Sequence, residues 1–308
     1  MIEMSALNSI YGMNYLISGN FELIALLLAG IVLAFASIHD LKKREVPDML
    51  NYGFFFAAIA LRLMHFAITL DWKVLIEGFA GFTVGLAIGA LMFYAGQWGG
   101  GDSKMIIGIG TLFGIPLTLN GIILFESILI SFVLNMFIVG SLFGLVWSMV
   151  IAVKNKSQFM KVWKEQLIAT QKLRYTGFLL ALFILVTGIF FREAFILFVL
   201  LAALVASLGY FFVFAKTVER SSMVFMLPPE KVTEGDWIDK EVYHKNKYIC
   251  GPKDLGISKK QIAMLKRYKI TKVPVKIGIP FIPSFFLGLV LTFFTGNVIL
   301  RIFTGFLG

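Results

Sequence analysis

The sequence predicts an all-α, polytopic membrane protein. Three observations predict it: an apolar composition, runs of apolar residues long enough to cross a bilayer, and basic residues confined to a few segments. Of 308 residues, 58% are hydrophobic, and the mean hydropathy is +0.86. Ordinary soluble domains are only about half apolar. A hydrocarbon layer about 30 Å thick takes about 20 apolar residues per helix. Eight segments meet or approach that length, at residues 21–39, 51–70, 74–95, 104–118, 121–153, 175–191, 194–215 and 279–301. The fourth is short for a full crossing and is expected to tilt or re-enter, while the fifth is long enough to project beyond the bilayer. The first forty residues contain no Lys or Arg. They lack the basic start of a cleaved secretory signal, so the first apolar run is expected to stay in the protein.

Lys and Arg in short loops are retained on the cytoplasmic side. With the N-terminus outside, all but Arg62, Lys73, Arg192 and Arg301 of the 28 basic residues fall in inner segments. The expected topology is therefore about eight transmembrane helices with both ends outward, and a small cytoplasmic domain before the last helix. Five regions follow: a transmembrane core at 1–153, an amphipathic linker at 154–174, an additional helix pair at 175–215, the cytoplasmic domain at 216–278, and a C-terminal helix at 279–308. The linker interleaves Phe159, Val162 and Trp163 with Lys156, Lys161 and Lys164, a pattern that suits a helix on an anionic cytoplasmic leaflet. In the small domain, Ser258 with Gln261 three residues later marks a helix start running to Tyr268.

Composition also excludes chemistries. The net charge of +10 follows the inner loops of an apolar chain, so no nucleic-acid partner is expected. Cys250 is the only cysteine, and the three histidines, His39, His65 and His244, are scattered. No zinc motif can be assembled from them, and neither a metal nor another cofactor is expected.

Charged side chains at membrane depth are costly and mark function. Asp40 closes the first span, and Asp102 follows Gly99, Gly100 and Gly101 between the third and fourth. Both sit at inner helix ends. Two carboxyl groups brought within a few ångströms share a proton, one acting as base toward water and the other as acid toward a carbonyl. That chemistry hydrolyses a peptide without metal. The glycines let backbone approach an extended peptide closely, and Lys104 supports the loop by pairing with a carboxylate or a lipid phosphate. Taken singly, Asp40 reads as an interfacial charge and Asp102 as an acid favoured by a helix N-terminus; their joint placement favours catalysis. Asp48 after Val46 and Pro47 suits an N-cap of the second span, and His39 an interfacial polar residue; both are weaker site candidates. Arg62, His65, Glu77 and Glu126 keep open an ion or solute transporter. Ser103 beside Lys104 points elsewhere on a helix and gives no serine dyad.

The run Gly99-Gly100-Gly101-Asp102 resembles the G-x-G-D signature of the membrane aspartic peptidases that process type IV prepilins. Asp40, its basic stretch and Val46-Pro47-Asp48 are similar to that family's first-aspartate motif. The likeness is closest to the archaeal preflagellin and prepilin peptidases and covers residues 21 to about 155. The stretch Gly278 to Pro283 also looks like the family's re-entry into the membrane. The resemblance implies a plasma-membrane endopeptidase with Asp40 and Asp102 as the catalytic pair. It would remove the short basic leader of archaellin or type IV pilin-like precursors at the cytoplasmic face. Lacking the cysteine-rich segment of methylating relatives, the chain is expected to cut without methylating. The same signature occurs in presenilin-like intramembrane proteases, the second enzyme reading.

Overall fold

The structure, a computed structural model, describes residues 2–118 and 120–307. It is mostly helical, and the protein is a multi-pass membrane protein. The helices are α1 (Ile2–Lys43), α2 (Asp48–Thr69), α3 (Lys73–Tyr94), α4 (Gly100–Phe113), α5 (Gly121–Glu126), α6 (Ile128–Lys154), α7 (Lys156–Ala169), α8 (Gln171–Ile189), α9 (Phe195–Ser222), α10 (Lys259–Arg267), α11 (Ile282–Thr295) and α12 (Val298–Leu307). Among the described residues, five helices are long and apolar enough to cross a membrane: α1 from Asn20, α2, α3, α6, and α9 with the turn before it. Counting α7 with α8 and α11 with α12 as bent crossings makes seven.

The fourth expected span, 104–118, accounts for the difference between eight and seven. Helix α4 has 14 residues, about 21 Å at 1.5 Å per residue. Its helix stops at Gly114, whose φ is +67°, and the chain continues extended to Pro116. Glycines let α3 and α4 lie backbone to backbone. A Cβ on Gly81 would stand 2.1 Å from the Gly110 carbonyl oxygen, and one on Gly85 2.7 Å from that of Ile106. Small residues in register permit such approach between membrane helices. The Ile115 N–H donates to the Glu77 carbonyl at 3.0 Å, so α4 and its tail run beside α3 from Gly89 to Glu77.

The chain divides into two units, one running to Gly144 and resuming at Ile279, the other Leu145–Gly278. The first has a core built from Leu33, Phe54, Trp98, Met105, Ile109, Phe132, Met136, Ile282 and Phe285. The expected segment 121–153 is broken at Ser127. Asn135, fully buried on α6, donates to Thr292 Oγ1 at 2.9 Å and to the Gly296 carbonyl at 2.7 Å, and accepts from Val298 N–H. It thereby satisfies backbone groups freed where α11 bends into α12.

In the second unit, α7 keeps Lys156, Lys161 and Lys164 exposed. Its Phe159 ring packs on Trp163 and on Phe214 of α9. The small domain corrects the all-α expectation. It holds strands β1 (Val224–Leu227), β2 (Trp237–Ile238), β3 (Val242–His244), β4 (Lys247–Cys250) and β5 (Val273–Lys276). Antiparallel pairing gives a sheet in the order β1-β5-β2 and a β3-β4 hairpin. Strands of two to four residues are too short to declare a period of two. Ile238, Ile249, Cys250, Ile257, Leu265 and Val275 form its own core. Helix α10 begins as expected: Gln261 N–H donates to Ser258 Oγ at 3.3 Å, and Ser258 N–H to Gln261 Oε1 at 2.8 Å.

Candidate active site

Asp40 lies in the last turn of α1 and is 6% exposed. The helix closes behind it when Arg44, at φ +59°, donates its N–H to the Asp40 carbonyl at 2.9 Å. Glycine usually takes that left-handed position, which is why the basic stretch gave no sign of a helix end. The carboxyl group meets the start of α11. Ile282 N–H donates to Asp40 Oδ2 at 3.0 Å, and the Phe281 N–H also bonds to the side chain. A helix N-terminus carries partial positive charge and suits an acidic group.

Asp102 is the third residue of α4, in a helix too short to be counted among the crossings. The Gly99 N–H donates to its Oδ2 at 3.0 Å, so the acid caps its own helix start. Burial, and then the neighbouring charge of Asp40, push its pKa up to about 7, against the lowering effect of the Gly99 N–H. The two acids, from helices α1 and α4, are therefore within electrostatic reach of each other. Groups so coupled titrate as a pair, not singly.

The three glycines differ in their surroundings. A Cβ on Gly101 would lie 3.2 Å from Cβ of Val46, whereas one on Gly100 would meet nothing within 4 Å. The loop before α2 thus packs on the first turn of α4, which carries Asp102. Trp98, 3% exposed, anchors the other side. Its ring centroid lies 5.6 Å from Phe281, 5.4 Å from Phe285 and 6.0 Å from Phe137. This aromatic cluster ties the Gly99–Asp102 run to the helix start that faces Asp40.

Trp98 and the Ile282 amide are missing from the reading of the sequence. A lone Trp before a glycine run is a weak signal, and a backbone donor leaves none. Lys104 pairs with Asp48 and lies over the Tyr52 ring, 5.0 Å from its centroid, so its carboxylate partner is neither Asp40 nor Asp102. Asp48 opens α2 with Pro47 at the N-cap, so the expected capping role for Asp48 is not seen. His39 is half-buried and has no hydrogen-bond partner among the described residues.

Of the residues that kept transport open, Arg62 lies within electrostatic reach of both Glu77 and His65. Arg62 spends its guanidinium on the carbonyls of Thr111, Leu112 and Val74 at 3.1 to 3.3 Å. Those of Thr111 and Leu112 end α4, where carbonyls lack helical partners. His65 stacks on Phe21, and Glu126 is exposed.

Part of the chain is similar to known proteins. The model of the Type IV leader peptidase family matches residues 27–153. A preflagellin peptidase of Methanococcus maripaludis is 34% identical over 140 residues, covering 43% of this chain and 59% of that protein. One from Methanocaldococcus jannaschii is 32% identical over 142 residues, covering 43% and 58%. The chain thus spans less than two thirds of the length of these relatives. No solved structure gives a significant match. Residues 27–153, which are similar to the type IV leader peptidase family, hold both acids and the glycine run.

Proposed function

We propose that the protein is an aspartic endopeptidase that removes the short basic leader from archaellin or type IV pilin-like precursors. The observation that carries this reading is the electrostatic coupling of Asp40 and Asp102, from separate helices, inside a segment similar to leader peptidases. Asp40, facing the α11 N-terminus, is the base that takes a proton from water. Asp102, protonated near neutral pH, gives its proton to the scissile carbonyl oxygen. The water oxygen then bonds to the carbonyl carbon, and the protons return as the amine leaves.

Cleavage takes place at the cytoplasmic face of the plasma membrane, the side to which basic-residue retention assigns the loops of Asp40 and Asp102. Both ends of the chain face outward in this orientation. The new N-terminus is left unmethylated, since the chain has no cysteine-rich segment. The amphipathic helix α7, with Lys156, Lys161 and Lys164 exposed, lies on the anionic leaflet.

The test is co-expression of the full chain with archaellin and pilin-like precursors in membranes, with products weighed by mass spectrometry. A product shortened by its leader and carrying a free, unmethylated amine is expected. Precursors of both kinds left whole, or ion flux in place of cleavage, would contradict the reading.

A further inference from the structure

Asn51 is a buried polar residue for which the fold gives no structural reason. It is 1% exposed, and neither atom of its carboxamide has a hydrogen-bond partner among the described residues. An amide buried without partners is costly to a fold, and persists where something else uses it. Asn135 shows how this protein treats a structural asparagine, with both ends of its amide bonded.

Contacts along α2 locate the face that Asn51 occupies. It shares the buried face of α2 with Phe54, Ala58, Arg62 and His65. Along that face, Val46 before the helix meets Gly101, Phe54 meets Gly108, and Arg62 binds the Thr111 and Leu112 carbonyls, all on α4. Arg62 and His65 also meet Phe21 of α1. At about 1.5 Å of rise per residue, Asn51 comes level with Met105, one turn beyond Asp102. On the antiparallel α1 it comes level with the last turns, which end in Asp40. The amide therefore lies in the α1, α2 and α4 junction, about one turn deeper than the acids.

We infer that Asn51 is a positioning residue for the Asp40 and Asp102 pair. When the acids close on a peptide, its NH2 donates to the ionised carboxylate and its carbonyl accepts from the attacking water. The water's lone pair is thereby aimed at the scissile carbon. This role rests on the peptidase reading above.

The full-length chain in membranes, cutting a precursor that the wild type is seen to cut, supplies the test. Asn51→Leu has similar volume and no polar atoms. Its thermal unfolding midpoint should stay or rise, kcat should fall tenfold or more, and KM should change less than twofold. The near-isosteric Asn51→Asp adds a third acid, which should move the basic limb of the kcat–pH profile upward by half a unit or more. The inference is overturned if Asn51→Leu keeps kcat within twofold, or if the Asn51→Asp profile superimposes on the wild type. Should the Leu variant not accumulate, the Asp profile decides alone. Failure of the wild type to cut any precursor would instead remove the peptidase reading, so the two failures are distinct.

Discussion

Ile282 and Asp40 are 242 residues apart in sequence, yet the amide of the first donates to the carboxyl of the second at 3.0 Å. The C-terminal helix is thus part of the site, although it lies outside the matched domain. Ending the chain after Gly278 would remove this donor along with the buried Phe285 and Leu289. Cleavage should be lost even though both acids remain. Western quantification of inserted chain beside the cleavage assay checks this, and a truncated chain that still cuts would refute it.

The proton on Asp102 sets the pH range of cleavage. Its pKa of about 7 means the proton is held below neutrality and lost above it. The rate should fall about tenfold per pH unit above pH 7. The same shift, upward from the ordinary carboxylate range, makes the fold less stable as pH rises toward 7. Initial rates between pH 5.5 and 8.5 measure the first effect. A flat profile across that range would contradict the assignment.

The glycine run should tolerate substitution unequally. Gly100→Ala meets nothing within 4 Å and should keep activity within about twofold, with a stability gain of up to about 1 kcal/mol. Gly101→Ala presses on Val46 and should lower cleavage several-fold by moving Asp102. Gly81→Ala collides with the Gly110 backbone and should destabilise by about 1–3 kcal/mol. Thermal unfolding in detergent and cleavage rates distinguish the three.

Trp98 holds the loop of one acid to the helix start facing the other. Trp98→Ala should cost about 3–5 kcal/mol of stability and most activity, while Trp98→Phe keeps the ring contacts and the larger part of both. Lys104→Met, which breaks an ion pair at the protein surface, should cost no more than about 1 kcal/mol and change cleavage less than threefold. Chemical unfolding with parallel rate measurements tests both.

What the sequence revealed follows from which signals are local. Asp40, Asp102 and the glycines stand in short motifs, and apolar runs announce helices by length alone. The small domain's strands were hidden because β5 alternates buried and half-buried residues over only Val273–Lys276. The short α4 was legible as short, but its partner was not: the Gly81, Gly85 and Gly89 spacing that seats it on α3 acquires meaning only beside Gly110 and Ile106. Asn51 reads as an ordinary polar residue near a helix start until its burial is known. The Ile282 amide leaves no trace in residue type at all.

The central claim is that two acids act as one unit on a leader peptide. Its most direct measurement is the cleavage rate of a precursor by wild type, Asp40→Asn, Asp102→Asn and the double variant at equal membrane levels. The account predicts that each single change lowers the rate by at least about a thousandfold and that the double change adds little further, as for groups that work together. A single variant cutting within tenfold of wild type would contradict it.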